Sequence, residues 1–334
     1  MQSLLNAVIS LGALGLILGG LLGYAAKVFA VPTDERADAI KEILPGANCG
    51  ACGFPGCNAL AEAIAKGEAA FISCPVGGAA VAQKIAQIMG VEEDMEAGAE
   101  LAPPKAKLIC RGGKAECKQI AEYDGLPDCR AANMYASGGR ACNYACLGFG
   151  NCARVCPFGA ITMNADRLPE IDPEKCTACG KCIEACPKAV LTLIPGTAQV
   201  YVVCNSQAPG KKVTKVCSEG CIACRICEQA CPFNAIKVIN NLAVIDYEKC
   251  RVCGLCAEKC PRHVIIDQRL EKPKANIDPN KCIGCTICKK SCPVEAINGE
   301  VKEAHTADPN ICISCGLCAE KCPKGAITMK VFGN

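Results

Sequence analysis

One spacing of cysteines recurs five times in the chain and restricts what the chain can fold into. In each copy three cysteines stand at i, i+3 and i+6, a fourth stands at i+10, and proline follows directly. The copies are Cys176, Cys179, Cys182, Cys186; Cys221, Cys224, Cys227, Cys231; Cys250, Cys253, Cys256, Cys260; Cys282, Cys285, Cys288, Cys292; and Cys312, Cys315, Cys318, Cys322. Self-similarity of this kind indicates an array of modules that share one local fold.

Disulfides, zinc and iron–sulfur clusters each require closely spaced thiols. The chain has 33 cysteines in 334 residues, a proportion found in secreted disulfide scaffolds, but those scaffolds are short. Structural zinc sites use two Cys-x2-4-Cys pairs separated by a longer spacer. The observed spacing is that of bacterial ferredoxins, in which the fourth cysteine ligates the partner cluster. The pattern therefore favours 4Fe–4S clusters over the two alternatives.

A sixth run is irregular. Counting back from Cys156, which precedes Pro157, gives Cys146 and Cys152 as ligands, but Phe149 occupies the second position. A phenyl ring cannot ligate iron. We expect Cys142, the nearest cysteine, to replace it.

Pairing the six runs in chain order predicts three two-cluster modules, in which the fourth cysteines are exchanged between partner clusters. The expected sets are Cys146, Cys152, Cys186 with Cys142, and Cys176, Cys179, Cys182 with Cys156 in module one; Cys221, Cys224, Cys227 with Cys260, and Cys250, Cys253, Cys256 with Cys231 in module two; and Cys282, Cys285, Cys288 with Cys322, and Cys312, Cys315, Cys318 with Cys292 in module three. Modules of about sixty residues seldom build a sufficient core alone, so we expect the clusters to be required for folding.

A further four-thiolate set lies nearer the N-terminus. Residues 33–90 read as short helices that end on glycine or proline, and they carry Cys49, Cys52, Cys57 and Cys74. The spacing alone also suits zinc, but a chain already committed to clusters makes iron–sulfur the preferred interpretation. Seven 4Fe–4S clusters are therefore expected.

Five cysteines remain after seven clusters are assigned: Cys110, Cys117, Cys129, Cys204 and Cys217. They are either buried thiols that act as small hydrophobic residues or ligands of an eighth cluster. The interval from Cys129 to Cys142 equals that from Cys204 to Cys217. On that basis the eighth set is expected to be Cys110, Cys117 and Cys129 with Cys204 or Cys142.

The N-terminus differs from the rest of the chain. Residues 1–26 contain no charged side chain, and about 20 apolar residues suffice to cross a bilayer. We expect a retained single-pass membrane helix rather than a cleaved signal peptide, because a signal peptide needs a positive n-region. Free thiols belong in a reducing compartment, so the clusters are expected on the cytoplasmic side of the cell inner membrane.

The predicted fold class is α+β, with an N-terminal transmembrane helix, a small helical 4Fe–4S domain and tandem two-cluster ferredoxin modules. The expected boundaries are 1–30 for the anchor, 31–97 for the helical domain, 98–108 for a linker, 109–203 for module one, 204–267 for module two, 268–276 for a second linker and 277–334 for module three.

An uncharged N-terminal span, then "NCGACGFPGC", then ferredoxin repeats resembles the B subunit of the Rnf complex, in its long polyferredoxin-type version. The shortest members carry one ferredoxin module, whereas this chain has three. The resemblance implies an electron-transfer subunit of a membrane-bound translocase that takes electrons from reduced soluble ferredoxin. It also implies partner membrane and flavin subunits that complete NAD reduction, and contact with membrane lipid.

Two other roles fit the same cluster array. One is a related complex that reduces a redox-sensing regulator, and the other is a polyferredoxin subunit of a membrane hydrogenase. The sequence contains no nucleophile–base pair, no P-loop and no GxGxxG opening a helix, while His263 and His305 are isolated. We therefore expect no complete active site in this chain and no nucleic-acid partner.

Overall fold

The computed structural model describes residues 2–28, 34–71, 74–91 and 103–331. Contacts divide the chain into two units, Met1–Asn48 with Cys52–Glu93, and Cys49–Ala51 with Asp94–Asn334. The domain boundaries expected near residues 30 and 97 lie outside the described residues.

The first unit is helical. Its helices are α1 (Gln2–Val28), α2 (Glu35–Ile43), α3 (Cys57–Ala65) and α4 (Gly78–Met89). Asp34 caps α2 by accepting a hydrogen bond from the Arg36 amide at 3.0 Å, as a helix N-cap should. Helices α3 and α4 pack against α2, and Ile40 and Ile85 are fully buried between them.

Helix α1 is 27 residues long, and its described leucines are exposed. Over the parts of the chain that the structure describes, none of the helices has the combination of length and apolar character that a membrane crossing requires. The expected transmembrane helix is thus not supported by this structure.

The second unit repeats one fold three times. In each module an outer pair of antiparallel strands encloses an inner antiparallel pair, and a one-turn helix follows each cysteine loop. Module one has β1 (Lys105–Leu108) paired with β4 (Leu191–Ile194) and β2 (Ile161–Met163) paired with β3 (Pro169–Ile171); module two has β5 (Val200–Val202) with β8 (Ile265–Asp267) and β6 (Ile236–Ile239) with β7 (Leu242–Ile245); module three has β9 (Lys274–Ile277) with β12 (Ile327–Lys330) and β10 (Ile297–Asn298) with β11 (Thr306–Ala307).

The helices of these modules are short. They are α5 (Cys129–Met134), α6 (Asn151–Arg154) and α7 (Lys181–Glu184) in module one; α8 (Gly210–Val216), α9 (Ile226–Ala230) and α10 (Leu255–Glu258) in module two; and α11 (Ile287–Ser291) and α12 (Leu317–Glu320) in module three. Helices α5 and α8 precede the cysteine loops and have no counterpart among the described residues of module three.

The outer strands begin earlier than the cysteine spacing alone indicates. Strand β1 lies inside the segment 98–108 that was expected to be a linker, because it pairs with β4 across module one. Strand β5 lies within the range expected for module one but pairs with β8 of module two. Strand pairing therefore starts module one at Lys105 and module two at Val200.

Each cysteine loop has the same backbone shape. The residue before the second position of the run has a positive φ in all six runs: Gly148, Ala178, Ala223, Val252, Gly284 and Ser314. Left-handed backbone at a fixed position turns the chain sharply, and only glycine adopts it without strain. The loops thereby wrap around a common centre, toward which their thiols are gathered.

Candidate iron–sulfur sites

Module three contains two cavities, each lined by four cysteines. The first encloses about 340 Å³ and is lined by Cys282, Cys285, Cys288 and Cys322. The second encloses about 350 Å³ and is lined by Cys292, Cys312, Cys315 and Cys318. In both, the fourth cysteine comes from the other run. Ile327 of the outer strand β12 lines the first cavity, and Ile297 of the inner strand β10 lines the second.

Module two repeats this arrangement. One cavity of about 340 Å³ is lined by Cys231, Cys250, Cys253 and Cys256. The other expected set also converges around Cys227, whose pKa is raised to about 11 by burial and then by the nearby thiols of Cys221, Cys224 and Cys260.

In module one the second expected set converges around Cys182, whose pKa is raised to about 11 by burial and then by the nearby thiols, including Cys176, Cys179 and Cys156. The first set differs from the expectation. Its cavity, about 350 Å³, is lined by Cys129, Cys146, Cys152 and Cys186. Cys142 lines a different cavity, with Cys110, Cys204 and Cys217.

Two polar residues place Cys129 beside Cys152. The amide of Cys129 donates to Asn151 Oδ1 at 2.9 Å, and Asn151 Nδ2 donates to Asp128 Oδ2 at 2.6 Å. Asp128 also caps α5 by accepting from the amides of Arg130 and Ala131. Asn151 directly precedes Cys152, so the start of α5 is fixed against the start of α6. Phe149 instead packs edge-on against Tyr123, with ring centroids 5.4 Å apart.

Backbone amides point at the fourth thiol of four runs. The alanine four residues after the cysteine donates to its sulfur at 3.3 or 3.4 Å, in the pairs Ala160–Cys156, Ala235–Cys231, Ala296–Cys292 and Ala326–Cys322. Hydrogen bonds to an ionised sulfur stabilise the thiolate, which is the form that binds metal.

Burial dominates the protonation of these thiols. It raises the pKa of Cys146 to about 12, of Cys152 to about 11 and of Cys256 to about 12. A coordinating metal deprotonates a thiol outright. Ligation at these positions therefore releases protons.

The residues present fit a 4Fe–4S cluster in three respects. All 33 cysteines carry free thiols. Four thiols line each of four cavities. Buried hydroxyls of Thr177 and Ser314 have no hydrogen-bond partner among the described residues. Each follows or precedes an expected ligand, Cys176 or Cys315, and the sulfurs of a cluster accept hydrogen bonds.

His305, which is isolated in the sequence, lies beside a candidate cluster. It is 2% exposed, its amide donates to Cys282 Sγ at 3.5 Å and its Nδ1 lies 3.8 Å from that sulfur. The ring packs over Gly299, where an added Cβ would come within 2.8 Å of it. His305 thus takes part in the environment of the first module-three cavity.

In the helical unit, Cys52, Cys57 and Cys74 pack against the buried core of α2, α3 and α4. The Cys57 amide donates to Asn48 Oδ1 at 2.8 Å, and the Gly77 amide donates to Cys74 Sγ at 3.3 Å. Burial raises the pKa of Cys74, and the charges of Cys52 and Cys57 act on it in the same direction. Cys49 groups with the other unit, so its role stays a prediction.

The expected eighth ligand set is not assembled as the equal sequence intervals indicated. Cys129 belongs to the cavity of Cys146 and Cys152, whereas Cys110 and Cys204 line the cavity that contains Cys142. Cys117 is buried nearby and forms a β-bridge with Cys217.

Family models match most of the cysteine-rich chain. A model described as a putative Fe-S cluster matches residues 44–76. Models of 4Fe-4S dicluster domains match residues 140–190 and 249–296, 220–265, and 275–329.

Named relatives share much of the chain. The B subunit of the Na(+)-translocating ferredoxin:NAD(+) oxidoreductase complex of Acetobacterium woodii is 51% identical over 252 residues, which cover 74% of this chain and 74% of that protein. The B subunit of the ion-translocating oxidoreductase complex of Methanosarcina acetivorans is 43% identical, over 78% of this chain and 97% of that protein. A solved formate dehydrogenase–heterodisulfide reductase–formylmethanofuran dehydrogenase complex of Methanospirillum hungatei is similar at 22% identity and a TM-score of 0.26, over 57% of this chain and 78% of that one.

Proposed function

We infer the role of this chain from its family, since it belongs to the B-subunit family of Rnf-type ion-translocating ferredoxin:NAD oxidoreductase complexes. It is an electron-transfer subunit of such a translocase, it contains several 4Fe–4S ferredoxin domains, and its partners are the other subunits of the complex. Bound 4Fe–4S clusters supply one-electron transfer at potentials set by charge, hydrogen bonding and exposure.

The observation that carries this role is the repetition of one site. Four cavities of about 340 to 350 Å³ are each lined by four cysteines. The chain's own contribution is to hold clusters, exclude water from them and donate hydrogen bonds to their thiolates.

We propose seven clusters with the ligand sets expected from the sequence, except that Cys129 replaces Cys142 in module one. Support for Cys129 comes from its place on the cavity of Cys146, Cys152 and Cys186 and from the hydrogen bond that fixes it to Asn151. For the N-terminal set the proposed ligands are those expected from the sequence, Cys49, Cys52, Cys57 and Cys74.

We also propose that residues 1–28 are a single-pass anchor in the cell inner membrane, with the clusters on its cytoplasmic side. The proposal rests on the uncharged sequence of residues 1–26 and on the exposed leucines of α1, among them Leu16 and Leu22. A helix with that surface needs an apolar environment.

Reduced ferredoxin is proposed to dock on module three. Cys285 is exposed, so the first cavity of this module opens near the surface. Exposed Lys281, Ile283 and Ile287 line it, and exposed Lys289 and Lys290 lie on the adjoining helix α11. A basic rim around an apolar centre is suited to an acidic protein partner, whose approach it accelerates.

The test uses the assembled complex, prepared anaerobically with Cys288→Ala in this chain. We expect iron to fall by about four atoms per chain, one cluster's content, and ferredoxin-dependent NAD reduction to fall at least about tenfold. The matched control is Lys330→Ala. Lys330 is in the same module but far from Cys288 in the sequence, and it lines neither of the module's two cavities. Full ferredoxin activity in the Cys288→Ala complex would contradict the proposed entry route.

A further inference from the structure

A fifth cavity lies between modules one and two, and most of its cysteines lie outside the 4Fe-4S family matches. It encloses about 330 Å³, close to the 340 to 350 Å³ of the other four. Its lining cysteines are Cys110, Cys142, Cys204 and Cys217. Of these only Cys142 falls inside a matched segment.

The two modules contribute equivalent positions to this cavity. Cys110 follows β1, and Cys204 follows β5. The residue before each donates its amide at 2.8 Å to the strand partner, Ile109 to the Val190 carbonyl and Val203 to the Val264 carbonyl. Cys110 and Cys204 therefore occupy the same place at the ends of equivalent strands.

The hydrogen bonds at the two sulfurs are also equivalent. Cys110 accepts from the amides of Gly112 and Cys146. Cys204 accepts from the amides of Ser206 and Cys221, both at 3.4 Å. In each module the donors are the residue two positions later and the first cysteine of the run that follows.

The other two thiols also occupy equivalent positions in the two modules. Cys142 stands four residues before Cys146, and Cys217 stands four residues before Cys221. Each module thus contributes the same two positions to the lining of the cavity. Such quasi-symmetric repetition is not expected of cysteines that merely fill space in two separate cores.

Three of the four thiols are buried, and all four line one cavity. Cys110, Cys204 and Cys217 are 7%, 8% and 8% exposed. Burial raises the pKa of Cys217 to about 12, and the charges of Cys117, Cys110 and Cys142 act in the same direction. An ideal Cβ built at Gly112 would lie 3.4 Å from Cys217 Sγ and 3.7 Å from Cys110 Sγ, so both sulfurs lie beside this glycine and near each other.

The alternative is that these are inert buried thiols. Protein interiors are close-packed, and spare thiols would be expected to fill the space between the modules. Here four thiols from two modules instead line one cavity similar in volume to the candidate cluster cavities.

We propose that Cys110, Cys142, Cys204 and Cys217 bind an eighth 4Fe–4S cluster at the junction of modules one and two. The proposal rests on the proposed function, in which the other cavities hold clusters of this type. Because Cys142 and Cys217 lie four residues from ligands of the first cluster of each module, the eighth cluster stands between those two and joins their electron-transfer paths.

The experiment compares iron per chain and the low-temperature electron paramagnetic resonance of the reduced protein in the full-length chain, prepared anaerobically in its complex. The variants are Cys110→Ala and Cys204→Ala, equivalent residues from the two modules. Cys117→Ala is the matched control, because Cys117 is buried beside the cavity but does not line it. We expect each of the first two to lose about four irons, one cluster's content, together with the same spectral component, and the control to keep both.

Wild-type iron gives an independent measure should either variant fold poorly. About 32 irons per chain support eight clusters, and about 28 support seven. A wild-type value near 28 overturns the eighth cluster, as does retention of iron in both Cys110→Ala and Cys204→Ala. Loss in Cys117→Ala without loss in the other two overturns the ligand set. A wild-type chain with little iron overturns the electron-transfer role itself.

Discussion

Left-handed backbone in the cysteine loops strains the individual non-glycine residues that adopt it. Ala223 has φ +56° and Gly284 has φ +65° at equivalent places in two runs. A non-glycine residue in this region is strained by about 1 kcal/mol or more. At Gly284 a Cβ would in addition lie 2.5 Å from the Glu303 amide nitrogen.

These two positions give a matched pair of substitutions. Ala223→Gly should keep the full iron content and raise stability by up to about 1 kcal/mol, because strain is relieved. Gly284→Ala should lower stability by more than about 1 kcal/mol and loosen the first cavity of module three. Thermal release of iron from each variant measures both effects. If neither variant changes the temperature at which iron is released, the loop tolerates a side chain at either place.

Which cysteines of the regular runs line a cavity together could be predicted from the sequence, because the spacing within a run is local and the fourth cysteine follows the ferredoxin pattern. Their ligand roles stay predictions. Cys129 could not be predicted, since it reaches its cavity through Asn151 and the cap of α5. The equal intervals Cys129–Cys142 and Cys204–Cys217 misled, because Cys204 corresponds in the fold to Cys110. The signal that was available is that both follow an apolar run, "KLIC" and "YVVC".

At the level of elements, strand β8 ends in a nearly buried ion pair. Asp267 Oδ2 lies 2.7 Å from Arg269 Nη2 and 3.3 Å from Lys272 Nζ. Arg269 also donates to the carbonyl of the cavity-lining Cys253 at 3.0 Å, and Gly254 leaves room for both side chains, since a Cβ there would lie 2.5 Å from Asp267 Oδ2. The pair thereby connects β8 to the second cysteine loop of module two.

Asp267→Asn should destabilise module two by about 1–2 kcal/mol at neutral pH. Burial alone would raise the pKa of Asp267, but hydrogen bonds and the charge of Arg269 outweigh it and hold the pKa below the ordinary 3.8. A lowered folded pKa gives stability that is present above the unfolded pKa and is lost as pH falls through the folded one.

The difference between wild type and Asp267→Asn in thermal stability should therefore stay constant from about pH 5.5 to 8 and shrink only below about pH 4. Unfolding temperatures across that range measure it. A difference that varies between about pH 6 and 8 would mean that another group carries the effect.

The strand after each Cys-Pro could be predicted from its apolar stretch, such as "AIKVI" at β6 and "AITMK" at β12. The outer strands could not be placed correctly, because β1 and β5 find their partners far along the chain, at β4 and β8. Lys105 shows why the outer strand matters: its Nζ donates to the Cys176 carbonyl at 2.7 Å, and Lys274 of β9 donates equivalently to Cys312 at 2.6 Å.

For the whole molecule, the cores of the modules consist largely of thiols. The buried cluster of module two, for example, includes Cys204, Cys221, Cys227, Cys256 and Cys260 among its apolar members. Four-thiol cavities without metal leave little else to hold strands that are two to four residues long.

Removal of iron by an anaerobic chelator should therefore unfold the ferredoxin modules, as metal loss unfolds zinc fingers. The buried residues of the helical core, which include Ile40 and Ile85, contain no cysteine. This core should therefore resist unfolding for longer. Far-UV circular dichroism and limited proteolysis during iron loss measure this order. Retention of protease-resistant modules without iron would contradict the prediction.

The pairing of the outer strands also has a consequence for how such chains change length in evolution. The first residue of each outer pair faces the last: Lys105 opposite Ile194, Val200 opposite Asp267, and Lys274 opposite Lys330. The polypeptide therefore enters and leaves each module at one place, so a gene segment encoding a module can be inserted or deleted there without displacing its neighbours. The boundary after module two, bridged by the exposed Arg251–Glu320 ion pair, permits this exchange. With the proposed eighth cluster, the boundary after module one would resist exchange, because loss of either module would remove half of the ligand set.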